Sequence, residues 1–175
     1  MSVSTPRVWV ALEDSVVFLK ITGRADFSSS TDFKKVMHGL RQRGYTQFTL
    51  DLSDCLIMDS TFLGVLAGIV TPAVPDANDA APPRLQLLNP KARVLDLLEN
   101  LGILPLFQVI SRAAPIDADF QSVPPASPPP NRIELARTAL EAHQILMKLN
   151  PANIPKFKDV AKFLAEDLKK LEVQS

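Results

Sequence analysis

From residue 48 onward the apolar residues of this chain switch repeatedly between a period of two and a period near 3.6, and that alternation constrains the fold more than any other feature. Phe48, Leu50 and Leu52 alternate with Thr49 and Asp51, the pattern of a strand. Asp59, Ser60 and Thr61 then precede the apolar segment Phe62 to Val70, which reads as a short loop leading into a helix. Leu85, Leu87 and Leu88 predict a further strand. Asn89 as cap, Pro90 in the first turn, Val94, Leu98 and Leu101 on one face and Gly102 at the end predict the next helix. Leu106 to Ile110 supplies the last strand. Strands separated by helices cannot be joined by hairpins, so they are expected to lie parallel and adjacent.

The residues before this alternation predict a hairpin and a first helix. Val8 to Leu12 and Val16 to Thr22 are rich in β-branched and aromatic residues, with Glu13, Asp14 and Ser15 between them and Gly23 closing the second strand. Phe33, Val36, Met37 and Leu40 lie on one helical face, behind serines able to cap it and before Gly44, which gives a helix from about Ser29 to Arg43. The expected fold class is α/β, a mixed β-sheet packed by helices.

Two proline-dense segments interrupt the pattern. Thr71 to Pro83, with Pro72, Pro75, Pro82 and Pro83, predicts an extended surface loop. Pro115 to Pro130 predicts a linker in partly polyproline conformation. Beyond it Leu135, Ala139, Ala142, Leu146 and Leu149 form one helical stripe, and Phe157, Val160, Ala161, Leu164, Leu168 and Leu171 form another. The division is therefore a main domain over 1–112, a proline-rich linker over 113–130 and a C-terminal helical hairpin over 131–175. Such a pair buries its apolar faces poorly alone, so it is expected to pack on the main domain, on a second copy in a homodimer, or on another protein.

Charge and composition exclude several functions. Lysine plus arginine number 19, as do aspartate plus glutamate, so the formal net charge of zero gives no sequence-independent pull toward nucleic acid or an anionic membrane. The single cysteine, Cys55, has only His38 and His143 beside it as soft or borderline ligands, with no spacing suited to zinc. No stretch approaches the roughly 20 apolar residues of a membrane span, and the expected location is the cytoplasm. No nucleophile with its base, metal cluster or carboxylate pair stands at informative spacing, so neither catalysis nor a cofactor is expected. His38 reads as a solvated helix residue, His143 as structural and Cys55 as a small buried hydrophobe.

Asp59-Ser60-Thr61 is the one constellation with chemical content. A helix N-terminus presents unpaired N–H groups and a positive dipole end, which favour a serine, an aspartate or a phosphate there. A phosphate on such a hydroxyl adds about −1.5 to −2 charges and three acceptor oxygens, enough to repel an acidic or apolar partner. The bland alternative is that Asp59 and Ser60 only cap a helix.

The run Leu50-Asp51-Leu52-Ser53-Asp54-Cys55-Leu56-Ile57-Met58-Asp59-Ser60-Thr61-Phe62-Leu63-Gly64-Val65-Leu66 resembles the D-S-[ST]-G-L-G-x-L region of STAS domains, as found in the sporulation anti-anti-sigma factors. Ile21 to Asp26 resembles that family's T-G-x-x-D strand end, and Asn89 to Leu104 resembles its N/S-P-x-V…L-x-x-x-G-L segment; the likeness covers about residues 3 to 112. The resemblance implies a STAS fold without catalytic activity, acting as an anti-sigma-factor antagonist that sequesters an anti-sigma-factor serine kinase and so controls transcription. It implies phosphorylation at Ser60, with Thr61 as the alternative acceptor, reversed by a serine phosphatase. It places Asp26, Asp59 and Thr61 at the partner surface. Phe62, standing where the motif usually has glycine, is either an apolar partner contact or a core side chain. The competing expectation is a constitutive STAS interaction subunit of a stress-sensing or lipid-transport assembly, never phosphorylated; burial of Ser60 beneath the C-terminal helices would favour it.

Overall fold

The computed structural model describes residues 7–71 and 81–175. The predicted hairpin is present as β1 (Arg7–Glu13) and β2 (Val16–Ala25), antiparallel from Arg7↔Thr22 to Glu13↔Val16, with Asp14 turning the chain at φ 52°. Next come α1 (Phe27–Gln42), β3 (Gln47–Asp51), β4 (Cys55–Met58), α2 (Ser60–Val70), β5 (Arg84–Leu88), α3 (Ala92–Asn100), β6 (Gln108–Ile110), β7 (Gln121–Ser122), α4 (Arg132–Leu149) and α5 (Ile154–Gln174). The sheet runs β6-β5-β3-β2-β1-β7, with β4 on the far end of β2. β2, β3, β5 and β6 are mutually parallel, as the strand-helix alternation requires, while β1 is antiparallel to both its neighbours.

The period-two residues sort the sheet into two faces. Val17, Leu19, Ile21, Phe48, Leu50, Leu52, Leu85 and Leu87 share one core with Phe33, Met37 and Leu40 of α1, the body of α2, and Val94 and Leu98 of α3. The alternate residues build a polar ladder on the other side: the Thr49 hydroxyl donates to Gln86 at 3.3 Å and the Gln86 amide donates to Gln108 at 2.9 Å.

Several sequence expectations are corrected in detail. Gly23 does not end β2. At φ 82° it opens a register shift before Arg24, and the strand continues to Ala25 alongside β4. That short strand β4 occupies what the sequence reads as loop. α1 begins two residues early because Asp26, and not a serine, is its N-cap; Ser29 completes a reciprocal capping box. Asn89 caps nothing. It turns the chain at φ 51° and spends its side chain on Arg112, accepting from its N–H and donating to its carbonyl, each at 2.8 Å, while Lys91 stands at the α3 N-cap with no side-chain bond. β6 is not the last strand, since β7 from the expected linker pairs with β1 at the opposite edge. The predicted proline loop falls mainly on 72–80, outside the described residues.

The C-terminal hairpin packs on its own domain. α2 is buried without a break from Thr61 to Ala67, because the sheet covers one side and α4 the other. Ala142 and Leu146 of α4 belong to the same core cluster as the sheet. The helices approach closely where α2 has no side chain: a Cβ on Gly64 would stand 2.5 Å from the Ala142 carbonyl oxygen, and one on Gly68 would stand 2.8 Å from Ile145 Cδ1. Val160, expected in the buried stripe of α5, is 43% exposed.

This contact predicts opposite signs for two glycine substitutions. Gly64→Ala must push α4 away and should lower unfolding free energy by about 1–3 kcal/mol. Gly39→Ala, in the interior of α1 where nothing lies within 4 Å of the new Cβ, should raise it by about 0.5–1 kcal/mol. Urea denaturation of both variants checks this; equal effects would contradict the packing.

Candidate functional site

β2 and β4 run parallel and finish together, with Ala25 opposite Met58, so the helices that follow them start side by side. The Asp59 N–H donates to the Ala25 carbonyl at 3.0 Å and ties the strand ends together. The Asp59 carboxylate then serves both helices. Its Oδ1 accepts from the N–H of Phe62 at 2.9 Å inside α2, and its Oδ2 accepts from the N–H of Phe27 at 2.7 Å, the first residue of α1. Asp26 completes the cluster by capping α1 through the N–H of Ser28 at 3.0 Å. Two carboxylates therefore face two helix N-termini in a space set by strand pairing.

Burial is the larger influence on Asp59. Its pKa is raised above the ordinary 3.8, first by desolvation, with the nearby Asp26 charge adding to the rise, while the N–H groups of Phe62 and Phe27, and His143 whenever its ring is protonated, act against it.

Ser60 is the first residue of α2 and is half-buried. Its hydroxyl lies 2.9 Å from Nε2 of His143, 83 residues along the chain in α4. Nδ1 of the same ring lies 2.6 Å from the Ala139 carbonyl oxygen. A carbonyl only accepts, so Nδ1 carries the proton; in the neutral ring Nε2 is then the acceptor and Ser60 donates to it. The Phe157 ring of α5 covers the imidazole, centroids 5.0 Å apart, and His143 is 5% exposed. Sequence spacing shows no nucleophile beside a base; the fold brings this hydroxyl and this imidazole together across 83 residues. Behind the ring stands a backbone carbonyl, and the groove of about 760 Å³ between α1, α2 and α4 does not include Ser60 or His143 in its wall.

The other expected site residues separate. Thr61 is 5% exposed and Phe62 1% exposed, the latter packed in a tilted contact on Phe33 with centroids 5.0 Å apart, so both are core side chains. The exposed aromatic at this place is Phe27, 53% exposed, with Leu56 of β4 also exposed. Phe27 stands off the Phe33-Met37-Leu40 face of α1, and a ring out of phase with its own helix stripe was the available signal. For His143 the signal was its membership of the series Ala139, Ala142, His143, Leu146, which puts a polar ring on the buried face. Cys55 is fully buried, and burial pushes its thiol pKa up to about 11, as expected of a small hydrophobe. His38 is exposed. Among the described residues no His/Cys/Asp/Glu cluster could hold a metal ion, and no helix is long and apolar enough to cross a membrane.

The cap geometry makes a titration prediction. Asp59→Ala should cost about 1–2 kcal/mol of unfolding free energy through loss of the shared cap. Because the folded-state pKa of Asp59 is raised, its stabilising contribution is fullest below 3.8 and declines as pH rises through the raised value. Wild type should therefore lose stability relative to Asp59→Asn across that window; a difference independent of pH would contradict the burial of this carboxylate.

Residues 10–119 match the sequence profile of the STAS domain, leaving α4 and α5 outside the match. Among solved structures, a protein described as a candidate anti-sigma factor antagonist of Thermotoga maritima is 23% identical with TM-score 0.50, covering 59% of this chain and 85% of that one. The Bacillus cell fate determinant SpoIIAA in its phosphorylated form is 17% identical with TM-score 0.48, covering 61% of this chain and 91% of that one. No curated protein matches the chain.

Proposed function

The chain belongs to the STAS domain family, and from that premise we propose that it is a non-enzymatic anti-sigma-factor antagonist whose partner surface is switched by phosphorylation of Ser60. One observation carries the reading: Ser60 is the half-exposed first residue of α2, set beside two helix N-termini and two carboxylates. An unmodified hydroxyl there leaves an apolar and acidic rim of Phe27, Asp26 and Asp59 for a partner. A phosphate adds about two negative charges beside carboxylates already crowded together and turns that rim repulsive. The proposed partner is an anti-sigma-factor serine kinase, bound while Ser60 is free and released once it is modified, with a serine phosphatase restoring the bound state. Residues 1–112 form the switch domain in this proposal, joined by 113–130 to the hairpin of 131–175, and the place of action is the cytoplasm.

A second reading has its own support. Ser60 is partly covered by α4 and its hydroxyl is engaged by His143, which fits a constitutive STAS interaction subunit that docks a partner and is never modified.

Peptide mass spectrometry of the protein from its native cells separates the two. The switch predicts phosphate on Ser60 in a condition-dependent fraction of molecules and none on the buried Thr61. Unmodified Ser60 under every growth and stress condition would leave the constitutive module.

A further inference from the structure

Resting on the switch proposed above, we infer that the C-terminal hairpin is a competitor built into it: α4, latched to Ser60 by His143, partly covers the hydroxyl that a kinase has to reach, and a phosphate on Ser60 and the docked α4 exclude one another. The latch has one polarity. Nδ1 is committed to the Ala139 carbonyl at 2.6 Å, so in the neutral ring Nε2 offers a lone pair and the Ser60 hydroxyl donates to it across 2.9 Å. A phosphoserine has no proton to give at that oxygen. It would set anionic oxygens against the Nε2 lone pair, within an interface that also holds Asp59. Nor can α4 shift to make room while it stays docked, because one turn further along α2 the missing side chain of Gly64 brings the backbones of the two helices together at Ala142.

Opening the joint uncovers the apolar outer side of α2, so the phosphate has to outweigh that packing. Of the buried α4 side chains, Ala136, Ala139 and Ala142 are small and Leu146 is the one large apolar residue, while Ile145 and Leu149 are partly buried against the core. The links to α1 are the Thr31 hydroxyl to Thr138 at 3.1 Å and ion pairs Lys34–Glu141 at 2.8 Å and Lys35–Glu134 at 3.8 Å; the ion pairs are about half exposed and add little. β7 holds the preceding segment on β1, so a released hairpin stays tethered at high effective concentration and redocks when the phosphate is removed.

The test uses the full chain with phosphoserine installed at position 60 during synthesis, and reads amide hydrogen exchange. Exchange across Arg132–Leu149 should quicken roughly tenfold or more while β3 and β5 keep their protection. Exchange in α4 that is unchanged or slower would overturn the inference, since the phosphate would then sit beneath a docked hairpin on a protonated His143. Should the modified chain unfold throughout, the unmodified His143→Ala and His143→Gln variants decide. His143→Ala should quicken α4 exchange and His143→Gln, which keeps an acceptor, should restore much of the protection; no change in His143→Ala overturns the latch. Neither kinase nor partner enters these measurements, so an unmodified Ser60 in cells would remove the switch without altering them, and unchanged exchange would remove the competitor while leaving the switch.

Discussion

The Asp59 carboxylate caps two helices at once, and the geometry of the candidate site depends on it. Its oxygens take the N–H of Phe62 in α2 and the N–H of Phe27 in α1, while its own N–H is bound to the end of β2. The arrangement exists because the bulge at Gly23 turns the end of β2 from β3 to β4, so that two parallel strands finish in register. Helix N-termini at the carboxyl ends of parallel strands are where α/β folds place their sites. Here the same geometry brings Asp26, Asp59, Ser60 and the exposed Phe27 into one surface patch. A carboxylate drawn out of water by two helix ends is held there by N–H groups that have no other partner nearby, which is why its burial is tolerated despite the raised pKa.

The second constraint is the approach of α4 to α2. Gly64 and Gly68 lie four residues apart on one face of α2, and their missing side chains let the Ala142 backbone and Ile145 side chain close on that helix. A helix buried between a sheet and another helix must be apolar on all sides, which accounts for the unbroken apolar run from Phe62 to Val70. The hairpin therefore completes the core of the domain that precedes it, and in doing so brings His143 to Ser60. The STAS match ends at residue 119, before α4 begins, so this covering element lies outside the matched segment.

The fold was legible wherever periodicity carried the information. The parallel order of β3, β5 and β6, the β1–β2 hairpin and the two C-terminal helices followed from residue spacing, and the family likeness pointed to Ser60 as the first residue of a helix. What escaped was set by contacts between distant residues. β4 is four residues long and half of it is buried, too short to show a period. Asp26 outcompeted the serines as N-cap because its carboxylate and Ser29 form a reciprocal box. Phe62, undecided in sequence between surface and core, is core, with Phe33 of α1 packed against its ring. The Ser60–His143 bond joins residues 83 apart, and no local pattern announces it.

Ser60 donates a hydrogen bond to a histidine whose other nitrogen is already committed. A long-range proton–nitrogen NMR correlation spectrum of the His143 ring in the unmodified full chain, above the pH at which imidazole is protonated, tests it most directly. The account predicts a ring protonated at Nδ1 with Nε2 as bare acceptor, and an Nε2 resonance that moves when Ser60 is replaced by alanine. A ring protonated at Nε2, or one indifferent to Ser60→Ala, would contradict it.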